Sequence, residues 1–186
     1  MRLAIVAVCA IALSCNRSVP KEVPKTDAPP FAVSIVPARS DATARGISMA
    51  ADTLDTFYVV LTNVSPQPQA AFETWNSWGY YAVSFELRTP DGRVAIIKKT
   101  LTVFTKNNPS TFVIPVGEQM VYPIKLDDEW AASAPLPIAD EQPIDITLKA
   151  VYELKATTES KQQNVWTGRV ESPEYHFKFR HWVKHS

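Results

Sequence analysis

From Phe31 onward the hydrophobic positions of this chain recur with a period of two. Phe31, Val33 and Ile35 alternate with Ala32, Ser34 and Val36, and Phe57, Val59 and Leu61 alternate with Tyr58, Val60 and Thr62. Tyr81, Val83, Phe85 and Leu87 alternate with Ala82, Ser84, Glu86 and Arg88. Met120, Tyr122, Ile124 and Leu126 share one face, as do Ile146, Leu148, Ala150 and Tyr152. Tyr175, Phe177 and Phe179 stand against His176, Lys178 and Arg180. Successive strand side chains point to opposite faces, so this alternation predicts strands with one buried side. Thr89-Pro90-Asp91-Gly92 has proline where φ must be near −65° and glycine where φ must be positive, which predicts a hairpin. Pro115-Val116-Gly117-Glu118 reads the same way, joining residues 112–114 to residues 120–126. Residues 127–143 form a long connection with room for one helical turn at residues 128–132. The expected fold is all-β, an antiparallel two-sheet sandwich of about seven to nine strands.

Ahead of the strands the pattern changes character. Arg2 gives a short positive start, and residues 3–13 are an unbroken small-apolar run ending at Ser14-Cys15. This is the layout of a secretory leader, too short to span a bilayer by itself. Ala12 and Ser14 suit cleavage by ordinary signal peptidase, whereas Ala12-Leu13-Ser14-Cys15 resembles the bacterial lipobox, whose cysteine becomes a lipidated N-terminus. Both cysteines, Cys9 and Cys15, lie in this region, and an exported protein with a leftover cysteine needs a use for it. Acylation of Cys15 is the simplest use, and several acyl chains would hold the protein firmly to a membrane. Residues 16–30 carry four prolines among polar residues, the composition of a semi-stiff extended spacer. The expected organisation is a lipoprotein signal peptide at 1–14, a lipidated cysteine and tether at 15–30, and one sandwich domain at 31–186. The expected location is the cell envelope, with a palmitate-type anchor and the domain in the periplasm or at the surface. Asn16 after the cysteine suits outer-membrane sorting.

Composition narrows the partners. The 186 residues hold 19 basic and 19 acidic side chains, so the chain lacks the long-range field of a nucleic-acid binder. Fifteen prolines argue against a helical bundle, and five glycines cannot supply a phosphate loop. A monomer is expected, with no cofactor.

Three segments together resemble a known domain type. They are Leu61-Thr62-Asn63-Val64-Ser65, Phe85-Glu86-Leu87 running into Pro90-Asp91-Gly92-Arg93-Val94, and Ile114-Pro115-Val116-Gly117-Glu118. They look like immunoglobulin-like sandwich domains of bacterial envelope proteins, and among these are similar to the domain named after the Bacillus intracellular proteinase inhibitor. The resemblance spans residues 53–126. It implies the fold and, secondarily, an inhibitory role.

Candidate chemistry is sparse. Trp75, Trp78 and Tyr80, within Phe72-Glu73-Thr74-Trp75-Asn76-Ser77-Trp78-Gly79-Tyr80-Tyr81, could form an aromatic platform for a peptide, a glycan or an envelope protein. Because large rings are usually mostly buried, the two tryptophans are rather expected to plug one end of the core. Gly79 is expected to let the chain turn. Arg169 could grip a ligand carboxylate or pair internally with Glu73 or Glu171, and Gly168 beside it suggests a bulge or a close backbone approach. Asp127-Asp128-Glu129-Trp130 lacks the alternate spacing and glycine of a calcium loop, and is expected to be a solvated turn. His176 and His181 fall on opposite strand faces and His185 follows near the end, so no metal site is expected. Serines without a Gly-x-Ser-x-Gly elbow offer no nucleophile. The expected function is a non-catalytic binding module. Protease inhibition through the loop at residues 105–110 is the alternative, and a carbohydrate-active enzyme with two carboxyls across an aromatic groove is a third possibility.

Overall fold

The computed structural model describes residues 28–37, 56–135 and 144–179. The leader, Cys15, the spacer up to residue 27, His181 and His185 lie outside the described residues. Eleven strands and two short helices follow in order: β1 Phe31–Pro37, β2 Phe57–Asn63, β3 Gln69–Phe72, α1 Ser77–Tyr80, β4 Val83–Arg88, β5 Val94–Lys99 and β6 Thr111–Ile114. β7 Gln119–Ile124, β8 Trp130–Ala132, β9 Ile144–Leu154, α2 Thr158–Gln162, β10 Gly168–Glu171 and β11 Tyr175–Phe179 complete the series. The fold is all-β, and every paired strand is antiparallel to its neighbour.

The three-stranded small sheet has the order β1-β2-β7, the large sheet β10-β9-β4-β5-β8 with β11 also on β9, and β3 and β6 form a separate two-stranded ribbon. β9 is long because it serves two neighbours on one side. Val83 to Arg88 of β4 line one edge, while β10 and then β11 line the other. The break between β10 and β11 falls at Ser172. Its N–H donates to the Ala150 carbonyl at 2.8 Å, and its Oγ accepts from the Ala150 N–H at 2.9 Å. A side chain thus replaces one rung of the ladder where the edge strand is offset, and no backbone donor is stranded.

The alternating positions meet between the sheets. Phe57 packs edge-on against Phe85 at 5.4 Å, and Tyr152 lies between Phe31 at 6.0 Å and Tyr122 at 6.3 Å. Leu61, Phe85, Leu87, Leu148 and Ala150 are wholly buried. Each large apolar side chain so placed contributes roughly 1.5–3 kcal/mol. The buried hydroxyls of Tyr122 and Tyr152 share a hydrogen bond, and burial pushes both phenols well above their ordinary range. The outward faces differ in kind. On the small sheet Ser34, Val36, Tyr58, Val121 and Pro123 point away from the core, all uncharged. Across β4, β9 and β10, Arg88, Glu86, Lys149, Glu171, Arg169 and Glu153 form an unbroken chain of ion pairs.

The Thr89–Gly92 turn joins β4 to β5 as expected, with Gly92 at φ 84° and its N–H on the Thr89 carbonyl at 2.9 Å. The other expected hairpin is a corner. Glu118 N–H closes a tight turn on the Pro115 carbonyl, but β6 pairs with β3 and β7 with β2. Both ribbon strands bend together here, because Asn63 ties the two bends to each other. Its Nδ2 donates to the carbonyls of Gln67 and Ile114 at 2.8 and 2.9 Å, and Gly117 N–H donates to its carbonyl at 2.9 Å. The helical turn expected at 128–132 is replaced by β8, which pairs with Ile97–Lys99 and so covers an otherwise open sheet edge. Two single-turn helices that the period-two pattern did not predict are held by side-chain caps, Asn76 on α1 and Thr157 on α2.

Candidate cleft between the sheet edges

Where β7 and β5 diverge, the two sheets leave a cleft of about 410 Å³. It is lined by Met120, Tyr122 and Ile124 of β7, by Val83 of β4, and by Thr74, Gly79 and Tyr80. Lys99, Glu129 and Trp130 also line it. The β5–β8 register places Lys99 directly across from Trp130, so their side chains share a face. Thr100 N–H, donating to the Glu129 carbonyl at 2.7 Å, extends that pairing. Asp127 shapes the turn before β8: its Oδ1 accepts from Glu129 N–H at 3.1 Å and its carbonyl from Trp130 N–H at 3.1 Å.

Tyr80 arrives from α1. Asn76, fully buried, accepts from Gly79 N–H at 3.0 Å and donates to the Ser110 carbonyl at 2.9 Å, which pins the helix start to the following loop. Gly79 does not serve by turning the chain with a positive φ. A Cβ there would lie 2.2 Å from the Glu73 carbonyl oxygen, so only glycine lets α1 pack this closely.

The Lys99 ammonium stands 5.0 Å from the Tyr80 ring centre and 4.7 Å from that of Trp130, and it pairs with Glu129. The lysine side chain is 17% exposed, its carboxylate partner 57%. Burial raises the Tyr80 phenol, and the neighbouring Lys99 charge opposes that rise. Trp130 Nε1 is buried and donates to no acceptor among the described residues. A buried, unpaired N–H is costly.

The four aromatic and basic positions singled out from the sequence are dispersed. Tyr80 lines the cleft. Trp75 is 49% exposed at the surface. Trp78 is half-buried, stacked on Phe72 at 5.8 Å with Glu159 beside it, and borders a second hollow of about 300 Å³ with Glu153 and Lys98. Arg169 sits on β10, paired with Glu171 at 2.7 Å and Glu153 at 3.4 Å; Glu171 is one of the two partners expected for it. At Gly168 it is the Trp166 side-chain ring, not another backbone segment, that occupies the space a Cβ would need. His176 is exposed on β11. Lys99, Glu129 and Trp130 were not assembled from sequence, although the acidic residues beside Trp130 drew notice. Their juxtaposition depends on the β5–β8 pairing, which no local pattern encodes.

No protein-family model, curated protein or solved structure matches the chain. Fold and cleft together define an all-β protein of packed antiparallel sheets with one aromatic-walled, charge-bearing cleft of ligand size.

Proposed function

We propose that the chain is a bacterial envelope lipoprotein, acylated at Cys15, whose sandwich is of the immunoglobulin type and acts as a non-catalytic binding domain. The observation that carries the binding role is the cleft, lined by apolar β7 residues and by Lys99 between two rings. Apolar walls with a few convergent polar groups are what small-ligand and peptide sites offer. Strand order supports the fold assignment: β1-β2-β7 against β10-β9-β4-β5 follows the A-B-E and G-F-C-C′ arrangement of immunoglobulin sandwiches. The leader, the Ala12-Leu13-Ser14-Cys15 box and the proline-rich spacer support the anchor. Palmitate labelling of cells expressing the wild type or Cys15→Ala tests it. Label and membrane association in the wild type, both lost in the variant, are expected; a labelled variant or a cytosolic wild type refutes the anchor.

Inhibition of a protease is the second reading, and one feature favours it. Residues 101–110 form an exposed loop in which Leu101 and Val103 are 94% and 89% exposed. The loop is fixed at its base by Thr102 N–H on the Tyr81 hydroxyl and by Asn107 on Ser77. Presented apolar side chains on an anchored loop suit insertion into a protease cleft. Assays against a protease panel, wild type beside Leu101→Asp, separate this from simple binding.

A further inference from the structure

We propose that the cleft receives a carboxylate group, with Lys99 as its anchor and Glu129 as an internal stand-in that the ligand displaces. The inference rests on the binding-domain reading above and names the ligand chemistry of that site. Lys99 and Glu129 are held unequally. The lysine side chain is 17% exposed with its ammonium over the Tyr80 and Trp130 rings, whereas the glutamate side chain is more than half exposed at the end of a turn. In such a pair the exposed partner is the exchangeable one, because water and mobility already weaken its hold. A lysine ammonium carries three donors in a rotatable cluster and accepts a ligand carboxylate in place of its own.

The other charge and ring chemistry points the same way. The Lys99 ammonium at the cleft wall is itself a hydrogen-bond donor, so the site suits a ligand that accepts hydrogen bonds. A ligand ammonium accepts none, and it would have to evict Lys99 from between two rings. A sugar stacking on Tyr80 or Trp130 would meet the same obstacle, since Lys99 lies over both faces. The second carboxylate of the wall, Asp127, accepts from the Glu129 N–H within its own turn and so braces the wall. The group bearing the ligand carboxylate would rest on Val83, Met120 and Ile124, which makes a short apolar peptide the right size for about 410 Å³.

A peptide carboxylate comes from a C-terminus or from an acidic side chain, and three probes distinguish them. Acetylated alanyl-valyl-alanine with a free C-terminus, acetylated alanyl-glutamyl-alanine amide and its glutaminyl counterpart are titrated calorimetrically into the full chain in detergent. At least one acid probe is expected to bind at least about tenfold more tightly than the glutaminyl control. Lys99→Met is expected to lose that preference, and Glu129→Gln to strengthen acid binding several-fold by removing the internal competitor. The strengthening is the decisive readout, because a purely structural ion pair gives no such gain and Glu129→Gln keeps the shape of the side chain. Should Lys99→Met fail to fold, Lys99→Arg, which retains the charge, is expected to keep the acid preference. No binding of either acid up to ~10 mM, equal binding of the glutaminyl probe, or weakening by Glu129→Gln overturns the proposal. Failure here with palmitate still on Cys15 removes the ligand class and leaves the anchored-domain reading standing.

Discussion

Asn63 has no exposed surface, yet its side chain satisfies both bends of the folded ribbon. Nδ2 donates to carbonyls on both sides of the corner, and Oδ1 accepts from Ser65 N–H at 3.0 Å and Ser65 Oγ at 2.8 Å. Asn63→Ala leaves the buried Ile114 carbonyl and several part-buried groups without this partner and is expected to cost about 2–4 kcal/mol in urea unfolding. The tryptophans give a sharper contrast. Trp78→Ala removes a half-buried ring stacked on Phe72 and is expected to cost about 2–3 kcal/mol, while Trp75→Ala stays within about 0.5 kcal/mol. Equal losses would mean that Trp75 is also a packing residue. Two rings three residues apart look alike in sequence. Their different fates depend on where α1 docks, and Asn76 and Gly79 decide that through contacts with Ser110 and Glu73.

Strand alternation was legible because a half-buried strand must sort its side chains by face. Phe31, Val33 and Ile35, like Ile146, Leu148 and Ala150, went inward as their spacing implied. Partners were harder to read. The Pro115–Glu118 segment has genuine turn chemistry, but a turn sets only the local reversal, and Asn63 directs the flanking strands to β3 and β2. Lys99, Glu129 and Trp130 were hidden for a related reason: β8 has three residues, too few for a period, and only its register brings Trp130 to Lys99. At the β10–β11 offset, Ser172→Ala orphans the Ala150 N–H and is expected to cost about 1–3 kcal/mol, with faster amide exchange at Ala150. The neighbouring ion pairs add a pH signature. Glu171 is held below the usual carboxylate range, first by its bond from Lys149 and then by Arg169. Its contribution is therefore full above the unfolded carboxylate pKa and lost as pH falls through the folded one. Wild type is expected to exceed Glu171→Gln by less than about 1 kcal/mol at neutral pH, and the two unfolding curves should converge in acid.

At the scale of the whole molecule, the two larger sheets, the β3–β6 ribbon, an ionic outer face and a cleft between sheet edges belong to one packed body. Its first described strand has a particular position: among the described residues β1 is the outermost strand of the small sheet and pairs with β2 alone. The carbonyl of Pro30, one residue ahead of it, accepts from Val64 N–H at 2.9 Å. Among the described residues, a pull from the proposed anchor at Cys15 meets this bond first and then the seven β1–β2 register pairs. The load bears on a border strand before it reaches β9 and β4 in the middle of the other sheet. On the proposed anchoring, β1 is where such load enters the fold, and the buried Phe31, Val33 and Ile35 hold it there.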